Sequence, residues 1–274
     1  MTPRTAVVTI THGRHDHLRN QCLGLALDPP DQHVVVLMGD DPEPDLPRSG
    51  PRTLVRVPAV PDTGLPLAAA RNLGARTALD AGADVLVFLD VDCVPGADLT
   101  TRYRTAVAGL AEPALVCGPV TYLPPPPPGG YPVTRLAGWT DPHPARPAPP
   151  DGQVVAEQRW ELFWSLSFAL SADTWWRVGG FSELYTGYGA EDTDFALSAH
   201  AVDVRLLWLG GAHAYHQHHP PTRHRPGVVE QMVRNAHTFH SRWHRWPMVG
   251  WFEDLAARRV VDFDPAAGTL RVRR

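Results

Sequence analysis

The chain contains no lysine: all 25 of its basic residues are arginine. Schiff-base catalysis and a phosphate loop of the Gly-Lys-Ser/Thr type both need that amine, so both are excluded. Cysteine is scarce as well. Cys22, Cys93 and Cys117 are odd in number and form no Cys-x-x-Cys pair, which argues against a disulfide framework and a cysteine zinc site. No apolar run approaches the roughly 20 residues that cross a bilayer. The first apolar run, Ala6 to Ile10, is short and followed by polar residues, unlike a secretory signal; a cytoplasmic protein is expected. No Gly-x-Gly-x-x-Gly follows that run, which argues against a dinucleotide-binding dehydrogenase. A net charge of −4 with a pI near 6.4 gives no overall basic field for nucleic acid, although the C-terminal third is locally rich in Arg and His.

What is present is enough for one sizeable core. The 274 residues are 43% hydrophobic, and the sequence reads as a single domain whose two halves share that core. Thr5–Ile10, His33–Met38, Thr53–Val57 and Asp84–Leu89 are apolar or β-branched runs of strand length, and they alternate with helical stretches at Asp16–Leu27 and Leu67–Ala81. Leu99–Leu110 reads as a further helix and Ala114–Val120 as a further strand. The alternation predicts an α/β fold, a mainly parallel sheet flanked by helices, with a smaller subdomain beside it. Ligands of such sheets bind off the carboxyl ends of the strands. Residues 1–118 form the predicted ligand-binding half. Residues 119–153 break the pattern as a proline-rich loop, with five consecutive prolines at Pro124–Pro128, and residues 124–150 are expected to flank the site and to be poorly ordered without ligand. Structure is expected to resume over 154–224, with a helix from Glu191 to Ala201, a strand at Arg205–Leu209 and a histidine cluster from His213 to His224. Residues 225–274 are expected to form a helical tail beginning at Gly227–Trp246.

Three segments carry chemistry. Asp90-Val91-Asp92 follows an apolar strand directly, and a turn there can bring carboxylates to a hard cation that neutralises a diphosphate leaving group. Gly187-Tyr188-Gly189-Ala190-Glu191-Asp192-Thr193-Asp194 joins flexible glycines to acids in a first helical turn. An ionised carboxylate at that place can act as a general base, and the helix dipole favours its charge. His213-Ala214-Tyr215-His216-Gln217-His218-His219 supplies imidazoles, common ligands of Mn²⁺-like and Zn²⁺ ions.

The ordered set (a first strand, a second ending in Asp40-Asp41, AARNLGARTALDAGADVLVFLDVDC, VGGFSELYTGYGAEDTDF and AYHQHH) resembles family-two glycosyltransferases of the GT-A fold. Its later part looks like the C-terminal galactosyltransferase motif Trp-Gly-Gly-Glu-Asp-x-Asp. The resemblance spans roughly residues 5 to 220. Tyr188 and Ala190 depart from it, standing where that motif often has Trp and Gly. It implies an inverting enzyme that takes sugar from a nucleotide-diphosphate donor, a UDP-sugar, with Mn²⁺ or Mg²⁺. By position, Thr11 and the loop that follows it, with Asp40 or Asp41, would hold the nucleoside, Arg71 would lie near the nucleotide, and Asp90 would meet ribose or a metal-bound water. Asp92 would ligate the metal with His216, His213 and His218 being alternatives to the latter. Asp192 would be the base, Glu191 would bind hydroxyls, and Trp160, Trp164 and Tyr188 would stack on sugar. A metal-dependent nucleotide-sugar hydrolase and a non-catalytic sugar-nucleotide-binding module are the rival readings.

Overall fold

The computed structural model describes residues 2–59, 63–220 and 227–273. His224, and the boundary expected between 224 and 225, lie outside the described residues. The chain begins β1 (Thr5–Thr11), α1 (His15–Leu25), β2 (Gln32–Met38), β3 (Arg52–Val57), α2 (Leu67–Asp80) and β4 (Val85–Leu89). There follow β5 (Cys93–Pro95), α3 (Leu99–Ala108), β6 (Ala114–Cys117), β7 (Val120–Tyr122), β8 (Val154–Glu157) and β9 (Ser167–Ser171). The remainder is α4 (Ala172–Val178), α5 (Glu191–Ala201), β10 (Arg205–Leu209), β11 (Ala214–His216), α6 (Val228–Trp243), α7 (Val249–Ala257), β12 (Val261–Asp264) and β13 (Thr269–Val272).

Eight strands form one sheet in the order β3-β2-β1-β4-β9-β6-β10-β8. The first four run parallel, as do β6 and β10, while β9 and β8 run antiparallel to their neighbours. The mainly parallel sheet is therefore present with two reversed strands, both from the segment after the prolines. The side chain of Phe168 in β9 stacks on its register partner Phe88 in β4, with centroids 4.8 Å apart, so an aromatic cross-strand pair marks this junction.

Both faces of the sheet are covered because successive residues of its central strands point to opposite sides. Val8, Val34, Val36, Leu86 and Phe88 join one apolar cluster with Ala68, Ala75 and Ala78 of α2 and with Trp175 and Phe195 of α4 and α5. Val7, Val85, Val87 and Leu89 join another with Leu99, Tyr103 and Val107 of α3. A second sheet, β5-β11-β7, sits at the edge where β4 ends. It requires close approach: a Cβ on Gly118 would lie 2.0 Å from the carbonyl oxygen of Ala212.

The segment before β8 is not featureless. It contains β7 and a 3₁₀ stretch at Val133–Trp139, and Leu123, Tyr131, Leu136 and Trp139 pack with Val94 and Tyr215. The C-terminal part adds α7 and the hairpin β12–β13 to the expected helix, closed over its own apolar cluster around Met232, Phe252, Val261 and Leu270.

Helix α2 approaches the sheet closely because small residues line its inner face. A Cβ on Gly74 would come within 2.4 Å of Val8 Cγ1 and 3.1 Å of Val36 Cγ2. A glycine-to-alanine change inside a helix ordinarily gains about 1 kcal/mol. Here overpacking, at roughly 1–3 kcal/mol, opposes it. With a Cβ only 2.4 Å from Val8 Cγ1, the upper part of that range applies, and Gly74→Ala is expected to lower the midpoint of urea unfolding by a net loss of up to about 2 kcal/mol. A midpoint equal to or above that of the wild type would show that α2 is not seated in this way.

Candidate functional site

The turn after β4 is fixed from below. Gln21, fully buried in α1, donates from Nε2 to the carbonyls of Asp90 (2.8 Å) and Cys93 (3.0 Å). Its Oε1 accepts from Thr9 Oγ1 at 2.8 Å, and Thr9 Oγ1 lies 3.1 Å from His33 Nε2. Burial, aided by Arg52, pushes the His33 pKa down to about 3, so this imidazole is neutral. A chain of buried polar groups thus runs from β2 through β1 and α1 to the turn.

The two carboxylates of that turn face different partners. Asp92 points to histidines. Cys93 in β5 pairs with His216 in β11, and Gln217 N donates to the Asp92 carbonyl at 2.7 Å, which lays the end of β11 beside the turn. His216 Nε2 and His219 Nε2 lie 3.9 and 3.3 Å from Asp92 Oδ2, and His17 Nδ1 lies 2.8 Å from Oδ1. Arg14 donates to the same Oδ2. Asp92, His216 and His219 each offer one ligand atom within 4.8 Å of the others. Burial opposes the charge of Asp92. Hydrogen bonds from His17 and His219 and the Arg14 charge outweigh it, holding the carboxyl well below its ordinary range. Burial pushes His216 down to about 4, leaving it neutral and able to offer a lone pair. A carboxylate oxygen and two imidazoles form a donor set that fits a divalent transition cation.

Asp90 turns instead to Arg71 of α2. The buried guanidinium bonds Asp90 Oδ1 at 3.1 Å and Glu191 Oε1 at 3.3 Å, and lies 5.2 Å from the centre of the Phe181 ring. The next residue, Asn72, clamps the backbone of Phe181 from both sides, accepting from its N–H at 2.8 Å and donating to its carbonyl at 2.9 Å. The Ala-Arg-Asn of α2 therefore joins the Asp-x-Asp turn to the glycine-rich loop. Burial raises the Glu191 pKa to about 7, with Asp192 adding to the rise against Arg71. Asp192 is also raised, chiefly by burial, with the Thr193 backbone N–H bonding it at 2.7 Å and lowering it. Burial thus outweighs the help of the helix dipole at that position.

Asp194 is buried elsewhere, accepting from Tyr185 Oη (2.9 Å) and Trp243 Nε1 (2.7 Å). Helix α6 holds the loop before Glu191 from behind: Asn235 Nδ2 donates to the carbonyls of Thr186, Tyr188 and Gly189, and Gln231 accepts from Tyr188 N–H. Ala190 has φ of 72°, a backbone state that favours the glycine often found at this motif position.

The other sequence-selected residues fall as follows. Thr11 is buried, with no hydrogen-bond partner for its Oγ1. Asp41 is buried with an oxygen 3.2 Å from His15 Nε2, whereas Asp40 is exposed. Trp160 packs in the core, stacked on His200 at 4.8 Å. Trp164 is half-buried and meets the rings of His143 and the guanidinium of Arg146. It ends an aromatic row that runs through His143 and Tyr122 to His216, the last two stacked at 4.4 Å. Tyr188 lies parallel to Trp251 at 6.1 Å. Of the histidines, His216 joins the Asp92 cluster; His213 lies beside Tyr215, and His218 is exposed. Sequence alone does not distinguish His219 and His17, and it marks Arg14 only as part of the loop after Thr11.

Comparison with known proteins follows this geometry. The family described as the N-terminal domain of galactosyltransferase matches residues 155–220. A validoxylamine A glucosyltransferase of Streptomyces hygroscopicus subsp. limoneus is 31% identical over 237 residues, 74% of this chain and 49% of that protein. Its counterpart from subsp. jinggangensis is 31% identical over 169 residues, 53% of this chain and 37% of that protein. The matched region thus spans half or less of these curated relatives. Among solved structures, S. aureus TarS 1-349 gives a TM-score of 0.54 at 14% identity, covering 86% of this chain and 65% of that one. GalNAc-T7 with UDP, GalNAc and Mn²⁺ gives 0.56 at 12% identity, covering 86% and 48%. The chain has the GT-A glycosyltransferase fold and is related in sequence to glycosyltransferases. Among the described residues no helix is long and apolar enough to cross a membrane.

The raised Glu191 pKa has a thermodynamic consequence. A carboxyl that binds its proton more readily folded than unfolded contributes stability that is fully present below the unfolded pKa, near 4.5. That contribution is lost as pH rises through the folded value, about 7. Glu191→Gln is expected to flatten the fall in unfolding free energy across this window, measured by denaturant titration at successive pH values. Parallel curves for the two proteins would show that Glu191 does not titrate in this way.

Proposed function

We propose that this chain is an inverting hexosyltransferase that moves a sugar from a nucleotide-diphosphate donor, a UDP-sugar, to an acceptor hydroxyl. The observation that carries the reading is the meeting of two clusters at the carboxyl end of β4. Asp92 stands among histidines, and one residue pair away Asp90, through Arg71, reaches Glu191 beside Asp192. The relatives named as glucosyltransferases support the reaction class, and the neighbour solved with UDP and Mn²⁺ supports the donor and the cation.

In this reading Asp92, His216 and His219 hold the ion. Two imidazoles beside one carboxylate suit Mn²⁺ better than Mg²⁺, which prefers oxygen ligands. When bound, such an ion neutralises charge developing on the leaving diphosphate. Thr11 and Asp41 flank the nucleoside at the ends of β1 and β2, with Asp40 beside them in solvent. Arg71 fixes the orientation of Asp90, which meets the donor's ribose or a metal-bound water. Asp192 accepts the proton of the acceptor hydroxyl from the face opposite the diphosphate, and Glu191 binds donor or acceptor hydroxyls. The raised pKa of Asp192 makes it a stronger base than an ordinary aspartate. Trp164 and Tyr188 are the aromatic surfaces for sugar, and the core packing of Trp160 supports that tryptophan less.

The expected results are specific. UDP binding followed by calorimetry weakens strongly in chelator and in Asp92→Asn. Asp192→Asn keeps metal-dependent UDP binding but loses transfer by roughly 100-fold or more, the usual contribution of a general base. Near-normal transfer by Asp192→Asn moves the base elsewhere, and a product with retained anomeric configuration overturns the single displacement. Donor hydrolysis at equal rate with and without any acceptor favours a hydrolase.

A further inference from the structure

Arg14 and His17 are the residues of the Asp92 cluster that the proposed function leaves unused, and Arg14 is the one that carries a fixed charge. It stands between β1 and α1, its side chain 22% exposed, and donates through Nη1 to Asp92 Oδ2. That same oxygen is the one nearest His216 Nε2 and His219 Nε2. A guanidinium and a divalent cation therefore contend for one carboxylate oxygen: its second lone pair is open, but two positive charges held at the same atom in a half-dry place repel each other. The other oxygen, Oδ1, faces His17, so it is Oδ2 that His216, His219 and Arg14 share. Chain geometry keeps Arg14 nearby in either case, because its backbone carbonyl accepts from Leu18 N–H at 3.0 Å in the first turn of α1.

We propose that Arg14 is a resident cation for Asp92. It compensates the buried carboxylate in the metal-free protein, yields Oδ2 when a divalent ion is taken up, and then binds the diphosphate of the donor. This rests on the reading of Asp92, His216 and His219 as the metal site. The first half follows from charge: a carboxylate that is 87% buried is costly without a cation, and Arg14 supplies one that needs no ion. The second half follows from place. Because Arg14 and the ion share Asp92 Oδ2, a guanidinium displaced from that oxygen stays beside the ion, where the proposed function puts the donor's diphosphate. Arginine matches phosphate oxygens in a two-pronged geometry. Arg14 is thus a donor-positioning residue, distinct from the metal ligands.

Arg14→Met keeps the length of the side chain and removes its charge, and Mn²⁺ titration without nucleotide reads the competition. At pH 7.5 the variant is expected to bind Mn²⁺ about tenfold more tightly than the wild type, since one charge-assisted bond no longer has to be broken. With Mn²⁺ saturating, its affinity for UDP is expected to fall about tenfold or more. General damage to the site would weaken Mn²⁺ binding, so the gain in affinity separates competition from misfolding. Equal or weaker Mn²⁺ binding by Arg14→Met, while Asp92→Asn abolishes it, overturns the role of Arg14 and leaves the metal site standing. Tighter Mn²⁺ binding with unchanged UDP affinity overturns the diphosphate contact. Absence of Mn²⁺ binding in wild type and variant alike overturns the metal reading and this proposal with it.

Discussion

The buried amide of Gln21 bonds the carbonyls of Asp90 and Cys93, and the positions of both site carboxylates follow from that contact. A turn at the end of a parallel strand has free carbonyls that need donors once the surroundings exclude water. Gln21 supplies them from α1, and Thr9 and His33 in turn hold Gln21. With the turn fixed, Cys93 opens β5 and its pairing with β11 determines where His216 comes to rest. Asp92 meets histidines because two strands share a register, not because those residues are close in sequence.

The second constraint is the buried charge of Arg71. One guanidinium answers Asp90 and Glu191, with Asp192 close enough to influence both. More carboxylates than cations in a dry place raise the carboxyl pKa values, that of Glu191 to about 7. Asp192, raised in the same direction, is thereby a stronger proton acceptor than a solvated aspartate, which is the property the proposed base requires. The polar clamps of Asn72 and Asn235 on the surrounding loop keep these groups in place, so the loop is supported by helices on two sides.

The parts of this arrangement legible in sequence are those written locally. The apolar runs of β1, β2 and β4 and the alanine-rich α2 are unambiguous because both sheet faces are buried and α2 must come close. Strand β9 was not legible, because its residues SFALS sit in a run of aromatics with no alternation, and only insertion between β4 and β6 makes them a strand. The acidic motifs were legible, but their partners were not: Asp90 and Asp92 look equivalent two residues apart, yet one faces Arg71 and the other the histidines. Among the clustered histidines, the end of β11 and the turn after it bring His216 and His219 inward and leave His218 outside. No local pattern distinguishes them. Gln21, Asn72 and Asn235 are invisible for a related reason, since a buried amide reads like a surface one until its partners are known. The glycine expected at position 190 is legible in reverse: Ala190 occupies a left-handed conformation all the same, held by the packing of α5 and the loop.

The proposed reaction requires that a divalent ion and the donor's diphosphate meet at Asp92. Anomalous diffraction from crystals grown with Mn²⁺ and UDP measures it directly. The account predicts an anomalous peak within coordination distance of Asp92, His216 and His219, roughly 2.0–2.3 Å for such ligands, with diphosphate oxygens on its open side. A bound UDP with no anomalous scatterer at Asp92, or with the ion held by other residues, would contradict it.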